Sequence, residues 1–245
     1  MRPLIAITES DAWLPMGAVE LTTFVLLDSG QVIFREPRIR PEPELRYRTA
    51  HLSKEEVSDF MAPFSRLSAT SRRSSFELTD DSDQLTTRVV VWDEHGPVVV
   101  ELYGRVTPFP GTRSLRAGYY RSPAVLSEVP QPILDVVPLA ERFTHPGETS
   151  WLPDKIEILA ESSGRSAGGG KPWPHDWPGL LDSSTHRTSR GMYRISLSKD
   201  HFAELRALVG PFHSIQNVVI DGRPMSVSYR FPIPQESLWL QPPAR

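Results

Sequence analysis

Residues 47–60, Tyr47-Arg48-Thr49-Ala50-His51-Leu52-Ser53-Lys54-Glu55-Glu56-Val57-Ser58-Asp59-Phe60, return in altered form as Tyr193-Arg194-Ile195-Ser196-Leu197-Ser198-Lys199-Asp200-His201-Phe202. Each copy reads as extended chain running into a helix that opens on a serine. In the first, Ser53 and Glu56 have capping-box spacing, in which hydroxyl and carboxylate satisfy amide donors in both directions. Val57, Phe60, Met61 and Phe64 then fall near helical spacing, as do Phe202, Leu205, Leu208 and Val209 in the second. Pro63-Phe64 and Gly210-Pro211-Phe212 stop the two helices. Chain of this kind must lay helices across a sheet.

The sheet is visible as hairpins around the two helices. Val19–Leu27 and Gln31–Arg35 flank the turn Asp28-Ser29-Gly30. Leu85–Trp92 and Pro97–Tyr103 flank Asp93-Glu94-His95-Gly96. Val218–Ile220 and Met225–Phe231 flank Asp221-Gly222, the strongest hairpin signal in the chain. Lys155–Leu159 and Met192–Leu197 predict further strands, and Pro130–Phe143 a helix whose continuity Pro138 puts in question. The Pro- and charge-rich segment 36–45, the serine-rich segment 65–83 and residues 108–118 read as connections. The expected fold is therefore α+β, a mostly antiparallel sheet with few helices. Its order suggests two related hairpin-helix-hairpin halves, 1–122 and 123–245, which could share one core.

Composition narrows the function more than it names it. The chain has 245 residues, a formal net charge of −3 and no cysteine. Disulfides, thiolate metal sites and cysteine nucleophiles are excluded together. The charge gives no general attraction to nucleic acid or to an anionic membrane. No apolar run approaches the roughly 20 residues of a membrane helix, and the N-terminal residues are too weakly apolar for a signal peptide. A soluble cytoplasmic protein is expected. The excess of arginine over lysine and the 24 prolines read as the coding bias of a GC-rich bacterial genome.

Catalytic and cofactor motifs are wanting. The histidines, His51, His95, His145, His175, His186, His201 and His213, form no His-x-x-x-His or His-Glu-x-x-His pair. Gly-x-Ser-x-Gly is absent; Ser162-Ser163-Gly164 and Ser189-Arg190-Gly191 lack the strand-to-helix setting of a nucleophile elbow. Gly168-Gly169-Gly170-Lys171 lacks Walker spacing and runs into Pro172, and Asp80, Asp81 and Asp83 do not make an EF-hand pattern. No metal and no cofactor is expected.

The most unusual segment is Trp173-Pro174-His175-Asp176-Trp177-Pro178, where proline stiffens the chain and tryptophan supplies large contact area. Its plain reading is a loop packed over the sheet by its own indoles. Its functional reading makes Trp173, His175, Asp176 and Trp177 a contact surface for another protein. The expectation is a non-catalytic interaction module, for example an immunity-type protein that neutralises a toxin. The alternative is a hydrolase or carbohydrate-binding protein using the same segment, with His175-Asp176 as an oriented base.

Overall fold

The structure, a computed structural model, describes residues 1–10, 20–36, 46–67, 72–79, 84–104, 106, 123–163, 170–188, 191–210 and 216–240. It is an α+β fold with 14 strands in two mostly antiparallel sheets and five short helices among these residues. The first sheet contains β1 (Pro3–Ser10), β2 (Leu21–Leu27), β3 (Gln31–Arg35), β4 (Tyr47–His51), β5 (Arg73–Glu77), β6 (Thr86–Asp93), β7 (Gly96–Tyr103) and β8 (Thr149–Trp151), in the spatial order β5-β7-β6-β1-β2-β3-β4-β8. The second contains β9 (Lys155–Ser162), β10 (Lys171–Pro172), β11 (His186–Arg187), β12 (Tyr193–Ser198), β13 (Gln216–Ile220) and β14 (Arg223–Arg230), in the order β10-β13-β14-β9-β12-β11. Among the described residues, only the β5–β7 and β10–β13 pairings are parallel.

The two sheets differ in sequence pattern because they differ in what covers them. The centre of strand β6, Val89-Val90-Val91, is buried at all three positions. Val89 and Val91 face the layer formed by α1 (Lys54–Met61), α2 (Pro123–Glu128) and α3 (Gln131–Glu141), while Val90 faces the second sheet. A sheet covered on both sides has no polar face to alternate with. Strand β14 reads Met225-Ser226-Val227-Ser228-Tyr229, with Met225, Val227 and Tyr229 buried and the serines on the opposite side. One face of that sheet points into the core, and on the other the serines of β14 stand beside a small separate apolar pair, Leu159 and Met192.

On the helical side, Phe24 stacks on Phe60 of α1 at 5.5 Å and meets Phe143 edge-on at 5.4 Å. Helix α3 runs through Pro138 without a break. The lost amide bond and ring clash cost about 3 kcal/mol. Burial of Ile133, Val136, Val137 and Ala140 along one face outweighs that cost, at roughly 1.5–3 kcal/mol for each larger side chain.

Between the sheets, Ala6, Val25, Leu27, Ile33, Tyr47 and Val90 share a single apolar cluster with Ile156, Ile158, Ile195, Leu197, Val218 and Val227. Helix α4 (Phe202–Val209) contributes Leu205 and Val209 to the same cluster. The helix α5 (Ser237–Leu240) contributes Trp239, which meets Trp92 edge-on at 6.2 Å and donates its Nε1–H to Thr22 Oγ1 at 3.1 Å. Residues 123–151 belong with the first sheet, since α3 covers it and β8 extends it beside β4. The chain passes to the second sheet after Trp151.

The two serine-opened helices agree locally. Ser53 Oγ accepts the Glu56 amide at 3.1 Å, and Glu56 Oε2 accepts the Ser53 amide at 2.7 Å, which completes the capping box. Ser198 accepts the Asp200 amide at 3.3 Å and opens a 3₁₀ turn, Lys199–His201, that leads into α4. The hairpins that follow enter their sheets by opposite strands. β6, the first strand of its hairpin, lies beside β1, whereas β14, the second of its hairpin, lies beside β9. Segment 65–83, expected to be a loop, contributes a 3₁₀ turn, Ala62–Arg66, at its start and the edge strand β5. Positions 37–45, 80–83, 108–118, 164–169, 189–190 and 211–215 lie outside the described residues, and with them much of the expected connections and Pro211-Phe212, Asp80, Asp81, Asp83, Gly168, Gly169 and His213. No described helix is long and apolar enough to cross a membrane.

Candidate functional site

The Trp-Pro segment begins where Lys171 and Pro172 pair in parallel with Val218 and Val219. Gly170 makes this approach possible, because a Cβ there would stand 3.1 Å from the Val218 carbonyl carbon. Lys171 Nζ donates to the Leu208 carbonyl at 3.0 Å, at the C-terminal end of α4, where the helix dipole favours a cation. The Trp173 amide then donates to the Val219 carbonyl at 3.1 Å, and its indole Nε1 to the Pro178 carbonyl at 3.1 Å. That second bond closes the Trp173–Pro178 stretch on itself.

Trp177 is buried, and its ring meets Trp173 edge-on at 5.0 Å and lies 5.5 Å from the His201 ring. Among the described residues its buried Nε1 meets no hydrogen-bond acceptor, an arrangement that costs about 1–3 kcal/mol. Burial of the large indole in the inter-sheet core offsets that loss. The plain reading of this stretch is thus how it is built: Trp177 lies inside, Trp173 is half-buried, and both anchor the segment. His175 and Asp176 are exposed at the bend between them.

The next residues are tied as closely. Asp221 and Gly222 take φ values of 50° and 74°, the positive pair that a type I′ turn requires. From that turn the Asp221 carboxylate accepts the Leu180 amide at 2.7 Å. It lies so near Gly179 that a Cβ there would fall 2.6 Å from it. Thr185 Oγ1 donates to the Gly179 carbonyl at 2.7 Å, and Asp182 Oδ1 accepts the Ser184 amide at 2.8 Å. The Ser184 amide and hydroxyl hold the Asp182 carboxyl below its ordinary range. Leu180 is buried, whereas its neighbour Leu181 is 86% exposed. The segment ends as β11, where Arg187 lies over the Tyr193 ring at 5.6 Å.

Elsewhere, the end of the first sheet forms a cleft of about 330 Å³ lined by Ser29, Gln31, Thr49, Ala50, His51, Gly147 and Thr149. Strand register creates it, because Gln31 lies opposite His51 and Thr49 opposite Thr149. No motif in the sequence points to it, since its walls come from three separate segments. Among the described residues no three His, Asp or Glu side chains are placed to hold a metal ion. His95 and His186 are exposed in a turn and on a short edge strand. The arrangement at 173–188 offers a fixed, mainly neutral surface with one projecting aliphatic side chain. Comparison with protein-family models, curated proteins and solved structures found no match to this chain.

Proposed function

We propose that the protein is a non-catalytic interaction module that engages another protein through residues 173–188, with Leu181 as the apolar contact and His175 and Asp176 as polar contacts. The observation that carries this reading is the 86% exposure of Leu181 on a backbone tied down on both sides, at Leu180 by Asp221 and at Ser184 by Asp182. A side chain displayed on ordered backbone loses little conformational entropy on binding, so its burial is retained as affinity. Trp173 and Trp177 contribute by holding the surface in shape. Neutralisation of a toxin by occlusion, in a bacterial cytoplasm, is the form of this role that we favour. The carbohydrate alternative gains nothing from Trp177, because that ring is buried and offers no open face for a sugar to stack on.

The test is quantitative affinity capture from the native host with wild type, Leu181→Asp and a His175→Ala/Asp176→Ala pair, with thermal melts to show that each variant folds. Placing a charge at the centre of a contact should weaken a specific partner at least tenfold, about 1.4 kcal/mol. If every captured protein is retained equally by Leu181→Asp, this surface is not the interface.

A further inference from the structure

His145-Pro146-Gly147-Glu148 is a tight turn in which the Glu148 amide donates to the His145 carbonyl at 3.0 Å. Proline in the second position and glycine in the third suit that geometry. Two side-chain hydrogen bonds and one longer contact to a carboxylate reinforce it. Glu148 Oε2 accepts the His145 amide at 3.1 Å, His145 Nδ1 accepts the Gly147 amide at 3.1 Å, and His145 Nε2 lies 3.7 Å from Glu56 Oε1. The Gly147 contact decides the tautomer. An amide can donate only to an unprotonated ring nitrogen, so the proton of the neutral imidazole sits on Nε2, facing Glu56.

A second proton must go to Nδ1, and the imidazolium can then no longer accept the Gly147 amide. We infer that the His145 turn is a pH-sensitive latch: neutral His145 holds Gly147 and shapes one wall of the adjoining cleft, and protonation releases Gly147 and draws the ring toward Glu56. Gly147 and Thr149 line that cleft opposite Ser29, Gln31 and His51, so the release alters a cavity wall. Among the described residues the charged groups beside His145 are Glu56 from α1, 3.7 Å from the ring Nε2, and Glu148 from the turn itself, which accepts the His145 backbone amide. Glu56 also belongs to the α1 capping box, which joins the latch to the start of that helix.

The experiment is NMR on the full-length, ¹⁵N-labelled chain between about pH 5 and 8, the range in which histidine ordinarily titrates. At the upper end His145 should be the Nε2–H tautomer. As its ring titrates, exchange of the Gly147 amide, corrected for its intrinsic pH dependence, should accelerate several-fold to about tenfold with the same midpoint, as expected for loss of one hydrogen bond. In His145→Asn the side-chain oxygen can accept the amide two residues on at any pH, and the profile should become flat. An Nδ1–H tautomer at high pH, a Gly147 transition with a different midpoint, or its survival in His145→Asn would each overturn the latch.

Discussion

At the scale of single residues, Asp221 does two jobs that a hairpin turn does not ordinarily combine. It adopts positive φ within the type I′ turn, and its carboxylate reaches the Leu180 amide on a separate segment. Gly179 is fixed by that carboxylate, and Gly179→Ala should lower stability by about 1–3 kcal/mol, the usual cost of forcing atoms into filled space; urea denaturation checks it. Glu56 and Glu20 respond to pH with opposite signs. The Ser53 amide and hydroxyl hold Glu56 below its ordinary value of 4.5, with His145 adding to the effect. A depressed folded-state pKa gives stability that is present above the ordinary value and lost as pH falls through the lowered one. Burial raises the Glu20 carboxyl despite its ion pair with Arg88, so protonation there favours the folded state. Glu20→Gln should therefore make stability fall more steeply between about pH 6 and pH 3, measured as urea midpoints across that range. An unchanged slope would remove Glu20 from the account.

At the scale of elements, the legible parts are those specified by neighbours in sequence. The Ser53–Glu56 box and the Asp-Gly hairpin form as their spacing dictates. Ser53→Ala should cost about 0.5–2 kcal/mol, read from the denaturation midpoint, with the largest rise in amide exchange in the first turn of α1. Strand β5 was not legible, because Arg73-Ser74-Ser75-Phe76-Glu77 is a polar edge strand held by parallel pairing with β7, a partner more than twenty residues away. The Trp-Pro segment was legible as irregular and indole-packed, but its outermost apolar side chain is Leu181, which no pattern distinguishes from buried Leu180. That distinction arises from the Asp221 tether, which turns one leucine inward. His145 was invisible as a pair with Glu56 for the same reason, since only the fold of α1 against the first sheet brings them together.

At the scale of the whole molecule, the inter-sheet core is closed by residues 229–239. Arg230 is almost fully buried between Glu157 and Glu236, to which it donates at 2.9 Å from Nε and 2.6 Å from Nη2 respectively. Burial works against its charge, yet the two carboxylates hold its pKa above the ordinary value. Arg230→Met should leave Glu157 with Arg194 and Glu236, among the described residues, with only the Ile233 amide, and cost about 3–5 kcal/mol, with the added Glu157→Gln/Glu236→Gln pair recovering part of it. A single variant as stable as wild type would show the network to be dispensable. The chemistry of residues 229–239 gives no hint in sequence of this closing role, because Trp239 and Thr22 meet across most of the chain. That contact bears on synthesis. Strands β1 to β7 can pair as soon as they leave the ribosome, but Ala6, Val25 and Val90 on their inner face must wait for β9, β12 and β14. During translation this half-built protein carries an uncovered apolar sheet, and its yield in a cell should depend on chaperones shielding that face until the second sheet arrives.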